Sequence, residues 1–505
     1  MNHTAKALMV LGTGSHVGKS VIVTALCRIF AEQGHTVAPF KAQNMSLNSW
    51  ITDDGSEIGI AQAIQAKACG ILPTADMNPI LLKPKGDRKS QVILLGKLYA
   101  DRTAGDYYDS IEDMMNVVEG AYERLAQQYD IIVIEGAGGA AEINLYHRDV
   151  VNIGTARMLH PPVILVGDIE RGGVFASIYG TLKLLPEDIA PLVKGIIINK
   201  FRGDPAILEP GIRQLEALTG VPVLGVIPYT GLSIPSEDSV SIADKVRSAS
   251  KDNGLVDIAV LHLPRISNFT DFEPLEPYSN VHYIEPGDDL GHPDALIIPG
   301  TKNTIDDLKV LQDCGSDARI LELAKAGVPV IGICGGYQML GSTITDSGIE
   351  GGSGDAAVFN GLGLLDIATY FTEYEKQTVQ TEKTVTGNGP ILGCIKGQQV
   401  SGYEIHMGKT RLGDEVPAFG DDGCVNKEGL VWGTYLHGLF ENENLRDAFL
   451  EFLYNGRDMS YSAVRDNVEY IDPYHQLATH FQAHVDMDAI ERMLTEQGTV
   501  DVSRR

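Results

Sequence analysis

A glycine-rich loop near the N-terminus restricts the fold more than any other feature of this sequence. Residues 7–11 form a short apolar run of strand character, Gly12-Thr-Gly-Ser-His-Val-Gly-Lys-Ser20 follows, and residues 21–33 carry apolar side chains at helical spacing. A strand, a glycine-rich turn and a helix in that order bring backbone N–H groups and the positive end of a helix to one point, which cradles phosphate. In such a loop Gly12, Thr13, Gly14 and Gly18 let the backbone close on phosphates, Lys19 reaches the β- and γ-phosphates, and the Ser20 hydroxyl coordinates Mg²⁺. The usual spacing places the first glycine five positions before Gly18, where Thr13 stands; here it falls one residue earlier, at Gly12.

The rest of the first half repeats the same alternation. A strand at 35–40 leads into Lys41-Ala-Gln-Asn-Met-Ser-Leu-Asn48, a polar stretch at a strand end. Substrate contacts collect at such ends in open α/β sheets, which makes Lys41, Gln43 and Asn44 substrate candidates. Asp54, in an acidic turn, and Glu135, closing the apolar run 130–134, are the carboxylates placed to join Ser20 at a metal ion. Asp149 belongs to a charged group on the same edge, Asp168 and Arg171 follow the strand 162–166, and all three are expected to face phosphate or substrate. Asn199 follows the strand 195–198, placed to hydrogen-bond a nucleotide base. Strands alternating with helices over about 230 residues indicate a doubly wound parallel sheet.

A chain of 505 residues exceeds one ordinary core. Residues 236–254 alternate charges and serines without an apolar period and read as a linker, dividing a domain at 1–235 from a second at 255–445, with a helical extension at 446–505. In the second domain the run 328–333 is short, apolar and β-branched, and Gly335-Gly336 permit a tight turn into a helix. Cys334 stands at that turn, where a helix start and nearby backbone N–H groups suit a nucleophile and an oxyanion. The same turn also suits a buried cysteine acting as a small hydrophobe. A cysteine nucleophile needs a base. His437, closing the strand 431–436 and followed by Gly438, is better placed than His406.

The net charge of -27 argues against a nucleic-acid partner and against anionic membranes. The six cysteines include no CxxC pair, so neither a zinc site nor a disulfide framework is indicated, and a reducing cytoplasm fits. No apolar run is long enough for a membrane span, and no signal peptide is evident.

Taken together, these motifs resemble the cobyric acid synthases, glutamine-hydrolysing amidotransferases of cobalamin biosynthesis. The first half is similar to the dethiobiotin-synthetase-like P-loop group, in which the first glycine is displaced as Gly12 is here. The second half resembles the class I glutamine amidotransferases through Gly332-Ile-Cys-Gly-Gly-Tyr-Gln338. Ala38-Pro-Phe-Lys-Ala-Gln-Asn-Met45, Glu135-Gly-Ala-Gly, Arg171-Gly-Gly-Val-Phe-Ala176, Asn199-Lys-Phe-Arg-Gly-Asp204, Gly402-Tyr-Glu-Ile-His-Met-Gly408 and Tyr435-Leu-His-Gly-Leu-Phe440 carry the likeness across residues 1 to about 450. The resemblance implies two doubly wound α/β domains, a P-loop sheet and a flavodoxin-like glutaminase. It also implies ATP and Mg²⁺ as cofactors, and glutamine and a corrinoid a,c-diamide as substrates. Cys334 and His437 would be catalytic, with N–H groups near Gly300 and Gly335 at the oxyanion. Most class I glutaminases carry a glutamate two residues after the histidine; Leu439 stands there, which leaves Glu404 or a backbone carbonyl to orient His437. The alternatives are a cobyrinic acid a,c-diamide synthase, a P-loop partitioning ATPase and a glutaminase-like binding module. Self-association is compatible with the sequence.

Overall fold

The run at Lys6–Gly12 becomes an interior strand of a six-stranded sheet, buried except at Lys6. In this computed structural model, which describes residues 5–84, 89–103, 111–229, 254–350, 356–372, 376–468 and 472–496, the strand order is Val223–Pro228, Val193–Phe201, Val163–Asp168, Lys6–Gly12, Ile131–Glu135, Val37–Phe40. Every pairing in it is parallel. Alternate residues feed two cores: Met9, Leu11, Ile132, Ile134 and Leu165 on one face, Leu8, Val10, Val133, Ile164 and Val166 on the other. Burial on both faces explains why these strands are nearly continuous Val, Ile and Leu. The P-loop helix spans Lys19–Glu32, and Gly12 ends the strand before it.

The chain divides into two units, the first comprising Met1–Ser46, Ser56–Pro235 and Ile471–Arg505, the second Leu47–Gly55 and Ser236–Tyr470. The helical extension expected as one block over 446–505 is therefore split. Helix Glu443–Gly456 stays with the second unit, whereas Pro473–Gln482 and Met487–Thr495 return to the first. The reason is apolar complementarity: Leu477, Phe481, Ile490 and Leu494 complete the core that Ile22, Leu26 and Phe30 of the P-loop helix begin, and Arg28 pairs with Asp472 at 2.6 Å. The expected linker lies, apart from Gly254, outside the described residues.

The second unit is built on a seven-stranded sheet, ordered Asn280–Ile284, Asp257–Leu261, Ala295–Ile298, Val330–Ile333, Val431–Thr434, Asp422–Val425, Val416–Phe419. The first five strands are parallel and the last two antiparallel. Both units are thus α/β with parallel central sheets, as the motifs require. Each also carries β-structure that the helix–strand alternation does not announce. Gln43–Met45, Ile80–Pro84, Lys89–Leu94 and Lys97–Thr103 form a sheet in the first unit, and Gln377–Thr384, Gln399–His406 and Leu436–His437 form one in the second. Among the described residues no helix is long and apolar enough to cross a membrane.

Candidate active sites

In the first unit the glycine-rich loop closes on itself and on neighbouring strand ends. Thr13 N–H donates to the Val166 carbonyl at 2.9 Å. Lys19 Nζ donates to the carbonyls of Gly14 at 3.0 Å and Gly138 at 2.8 Å. Gly18 has φ 100°, a left-handed conformation that suits glycine, and a Cβ there would collide with Asn199 Nδ2. Asn199 donates through that nitrogen to the Val17 carbonyl at 2.9 Å. That bond braces the loop.

Glu135, 1% exposed, is the charge centre of this unit. Its Oε1 accepts from Ser20 Oγ at 2.8 Å and Lys41 Nζ at 2.7 Å, and its Oε2 accepts from Gln65 Nε2. A buried carboxylate this close to a buried ammonium offsets much of its desolvation through the pairing. Ser20 and Glu135 together fit Mg²⁺. They present hard oxygens at the phosphate end of the loop, and this ion needs only one or two protein ligands besides phosphate and water.

The remaining expected residues separate by role. Asn44 is buried, with its Nδ2 3.3 Å from Gln62 Oε1, and Gln43 is half-buried beside it on the same strand. Asp168 accepts from Glu170 N–H at 2.8 Å and pairs with Lys200 at 3.1 Å, while Arg171 is exposed. Asp149 behaves as a helix cap: its Oδ1 accepts from Val151 N–H at 2.9 Å and Asn152 N–H at 2.7 Å, and burial raises its pKa. Asp54 is exposed in the segment Leu47–Gly55 and accepts from the Thr52 hydroxyl two residues before it.

In the second unit Cys334 sits between the strand Val330–Ile333 and the helix Gly335–Leu340 with φ 52° and ψ -107°. Such a conformation is strained for a residue with a Cβ and persists only where the surroundings enforce it. Here the enforcement is close packing: a Cβ on Gly336 would collide with the Ile298 carbonyl, and one on Gly335 would lie 2.7 Å from Thr301 Cγ2. The Thr301 nitrogen lies 3.1 Å from that same Gly335 position, so the backbone after Gly300 and the helix start lie side by side next to Cys334. Cys334 is 8% exposed, and its Sγ lies 3.6 Å from the Ile405 carbonyl.

His437 is buried, and Cys334 is among the groups that act on its ring. What orients it is Asp271, 5% exposed: His437 Nδ1 lies 2.6 Å from Asp271 Oδ2, and Gly438 N–H donates to Oδ1 at 2.9 Å. Burial pulls the imidazole pKa down, but the charge and hydrogen bond of Asp271, helped by Cys334, outweigh it and push the value up to about 10. Neither orienting group expected from sequence holds the ring. Glu404 instead pairs with Lys383 at 2.9 Å and His406 at 3.6 Å and accepts from Gln377 at 2.6 Å. His406 stacks on Tyr435 with ring centroids 3.7 Å apart. Asp271 carried one sequence signal, a carboxylate flanked by Phe269 and Phe272, because an acid set among buried aromatics needs a partner. A cysteine, an imidazole held as a cation and a carboxylate behind it form the constellation of acyl transfer through a thioester.

Residues 8–239 match a family model described as CobQ/CobB/MinD/ParA nucleotide binding domain, and residues 257–445 match the CobB/CobQ-like glutamine amidotransferase domain. A chain from Methanosarcina acetivorans named "Probable cobyric acid synthase" is 62% identical over 485 residues, covering 96% of this chain and 98% of its own. One of the same name from Methanococcoides burtonii is 62% identical over 496 residues, covering 98% of both. This chain belongs to the cobyric acid synthase family. It is an enzyme of the glutamine-dependent amidotransferase kind, with a nucleotide-binding domain and a glutaminase domain in one polypeptide.

Proposed function

We propose that the protein converts the b, d, e and g carboxylates of adenosylcobyrinic acid a,c-diamide to amides, giving adenosylcobyric acid, at the expense of ATP and glutamine. The observation that carries this reading is the Cys334–His437–Asp271 constellation in a chain that also bears a phosphate loop. Cys334 Sγ, its proton passed to His437, attacks the glutamine amide carbon. N–H groups at Thr301 and Gly335 receive the oxyanion, and imidazolium His437 protonates the departing ammonia. Water then cleaves the thioester, His437 takes its proton, and glutamate leaves.

In the first unit Gly12–Ser20 binds the nucleotide phosphates, with Asn199 holding the loop in shape. Ser20 and Glu135 would hold Mg²⁺, which when bound would supply neutralisation of the charge on the transferring phosphoryl group. The sequence offers Asp54 as a further metal ligand. A corrinoid carboxylate oxygen takes the γ-phosphoryl group and ADP leaves; ammonia then attacks the acyl carbon and phosphate leaves. Lys41, Gln43, Asn44, Asp168 and Arg171 are the proposed corrinoid contacts, and Asp149 supports the loop after Glu135 as a cap. A cytoplasmic setting fits this chemistry. The reading is tested by incubating the protein with glutamine, ATP, Mg²⁺ and the corrinoid a,c-diamide: four carboxylates should become amides, and an unchanged corrinoid would refute it.

A further inference from the structure

Residues 47–55 lie, in sequence, within the nucleotide-binding half, between Lys41–Asn44 and the helix Ile60–Ala68, yet they belong to the second unit. Their contacts there converge on the two residues flanking His437. Asn268 N–H donates to Asn48 Oδ1 at 2.7 Å, and Ser49 N–H donates to Asn268 Oδ1 at 3.0 Å. With its backbone and carbonyl oxygen both tied, the Asn268 side chain is fixed, and its Nδ2 lies 3.4 Å from His437 Nε2. On the other side of the imidazole the Tyr403 ring stacks on His437, with centroids 5.3 Å apart and planes 19° apart. Tyr403 in turn donates its phenol O–H to the Ser49 carbonyl at 3.2 Å, and Trp50 packs against its ring. Asn48, Ser49, Asn268, Tyr403 and His437 are all at least nine-tenths buried.

We infer that residues 47–55 form a positioning strap for the glutaminase, in which Asn48 and Ser49 hold Asn268 and Tyr403 against the free side of the His437 ring. Asp271 fixes Nδ1, and the strap sets Asn268 at Nε2 and Tyr403 on the ring face, which limits the tilt of the imidazole about that bond. Buried amides joined reciprocally have few alternatives in a dry site, so the arrangement is rigid as well as specific. The strap leaves the nucleotide-binding unit after Ser46 and rejoins it at Ser56. None of these strap residues touches the reacting atoms, so their role is positional.

The inference rests on the glutaminase part of the proposed function but not on its corrinoid part, so it is tested with glutamine alone, by glutamate release. Asn48→Ala removes the acceptor for Asn268 N–H and should lower kcat about tenfold with KM for glutamine within twofold, the size expected of one buried hydrogen bond. Asn48→Asp keeps the acceptor oxygen and should restore at least half of the lost kcat. Melting temperatures of both variants, read alongside, establish that the folded protein is being compared. A wild-type kcat in Asn48→Ala, an equal loss in Asn48→Asp, or a loss expressed only in KM would overturn the strap. Wild-type protein that releases no glutamate would overturn both the strap and the glutaminase reading, whereas failure to amidate the corrinoid would leave this result standing.

Discussion

The two sites in this chain are held in different states of readiness. Around Cys334 the chemistry is already assembled: a strained backbone presents the thiol, a carboxylate fixes one nitrogen of His437, and the ring packs at Gly300 beside that turn. Around Lys19 the charged groups are satisfied by the protein itself, Lys19 on two carbonyls and Ser20 and Lys41 on Glu135. A hydrolytic site that turns over one small substrate gains by preorganisation, which supplies transition-state stabilisation with no rearrangement. A site that takes a nucleotide, a metal and an anionic substrate in turn needs groups whose partners can be exchanged. The ion pair of Lys41 with Glu135, buried at 2.7 Å, holds both side chains in place.

That contrast is broken most forcefully at Asp271. Asp271→Asn should lower glutamate release by about 10²- to 10⁴-fold, because an amide neither fixes the proper tautomer nor stabilises the imidazolium. Amidation driven by added ammonia should survive. The same variant has a defined pH signature. The folded-state pKa of His437 is raised to about 10, so its contribution to stability is fully present below the ordinary value of about 6.5 and is lost as pH rises through about 10. The gap in melting temperature between wild type and Asp271→Asn should therefore narrow over that window; a gap that widens with pH would contradict the imidazolium assignment.

The converse change is Glu135→Gln. It should reduce amidation from glutamine and from ammonia alike, on the order of 10²-fold, through loss of charge at the metal and at Lys41. Glutamate release from glutamine alone should remain, measured by an assay that omits ATP. The smallest effect is expected at Asp149, where sequence position suggests a substrate contact and the structure provides a cap. Asp149→Ala should cost about 1 kcal/mol of stability in denaturant unfolding, with KM for the corrinoid unchanged; a KM rise without destabilisation would reinstate the substrate role.

The pattern of what could be read in advance follows from the range of the interactions. The strands ending at Gly12, Glu135 and Ile333, the phosphate loop and the nucleophile turn are set by local apolar runs and glycines, so each was legible where it stands. The partner of His437 was not, because Asp271 and His437 are 166 residues apart and meet only through tertiary packing. A residue two positions after the histidine was the natural place to look, but Leu439 packs into the core instead, and the carboxylate arrives from a short helix at Phe269–Leu275. The strap was hidden for a related reason: Asn48 and Ser49 stand in a stretch that describes a solvated loop equally well until Asn268 and Tyr403 are seen to hold them. Asn199 and Asp149 show the opposite case, residues at the sheet edge whose side chains make hydrogen bonds to backbone that no local pattern announces.

The central claim, that ammonia made at Cys334 is consumed on the corrinoid by the same chain, is tested most directly with amide-¹⁵N-labelled glutamine in the presence of unlabelled ammonium. Mass spectrometry of the corrinoid product should find four new amides, all carrying ¹⁵N, in the wild type, and unlabelled amides in Cys334→Ala. A corrinoid that acquires no amides from either source, or a Cys334→Ala protein that still transfers ¹⁵N, would contradict the account.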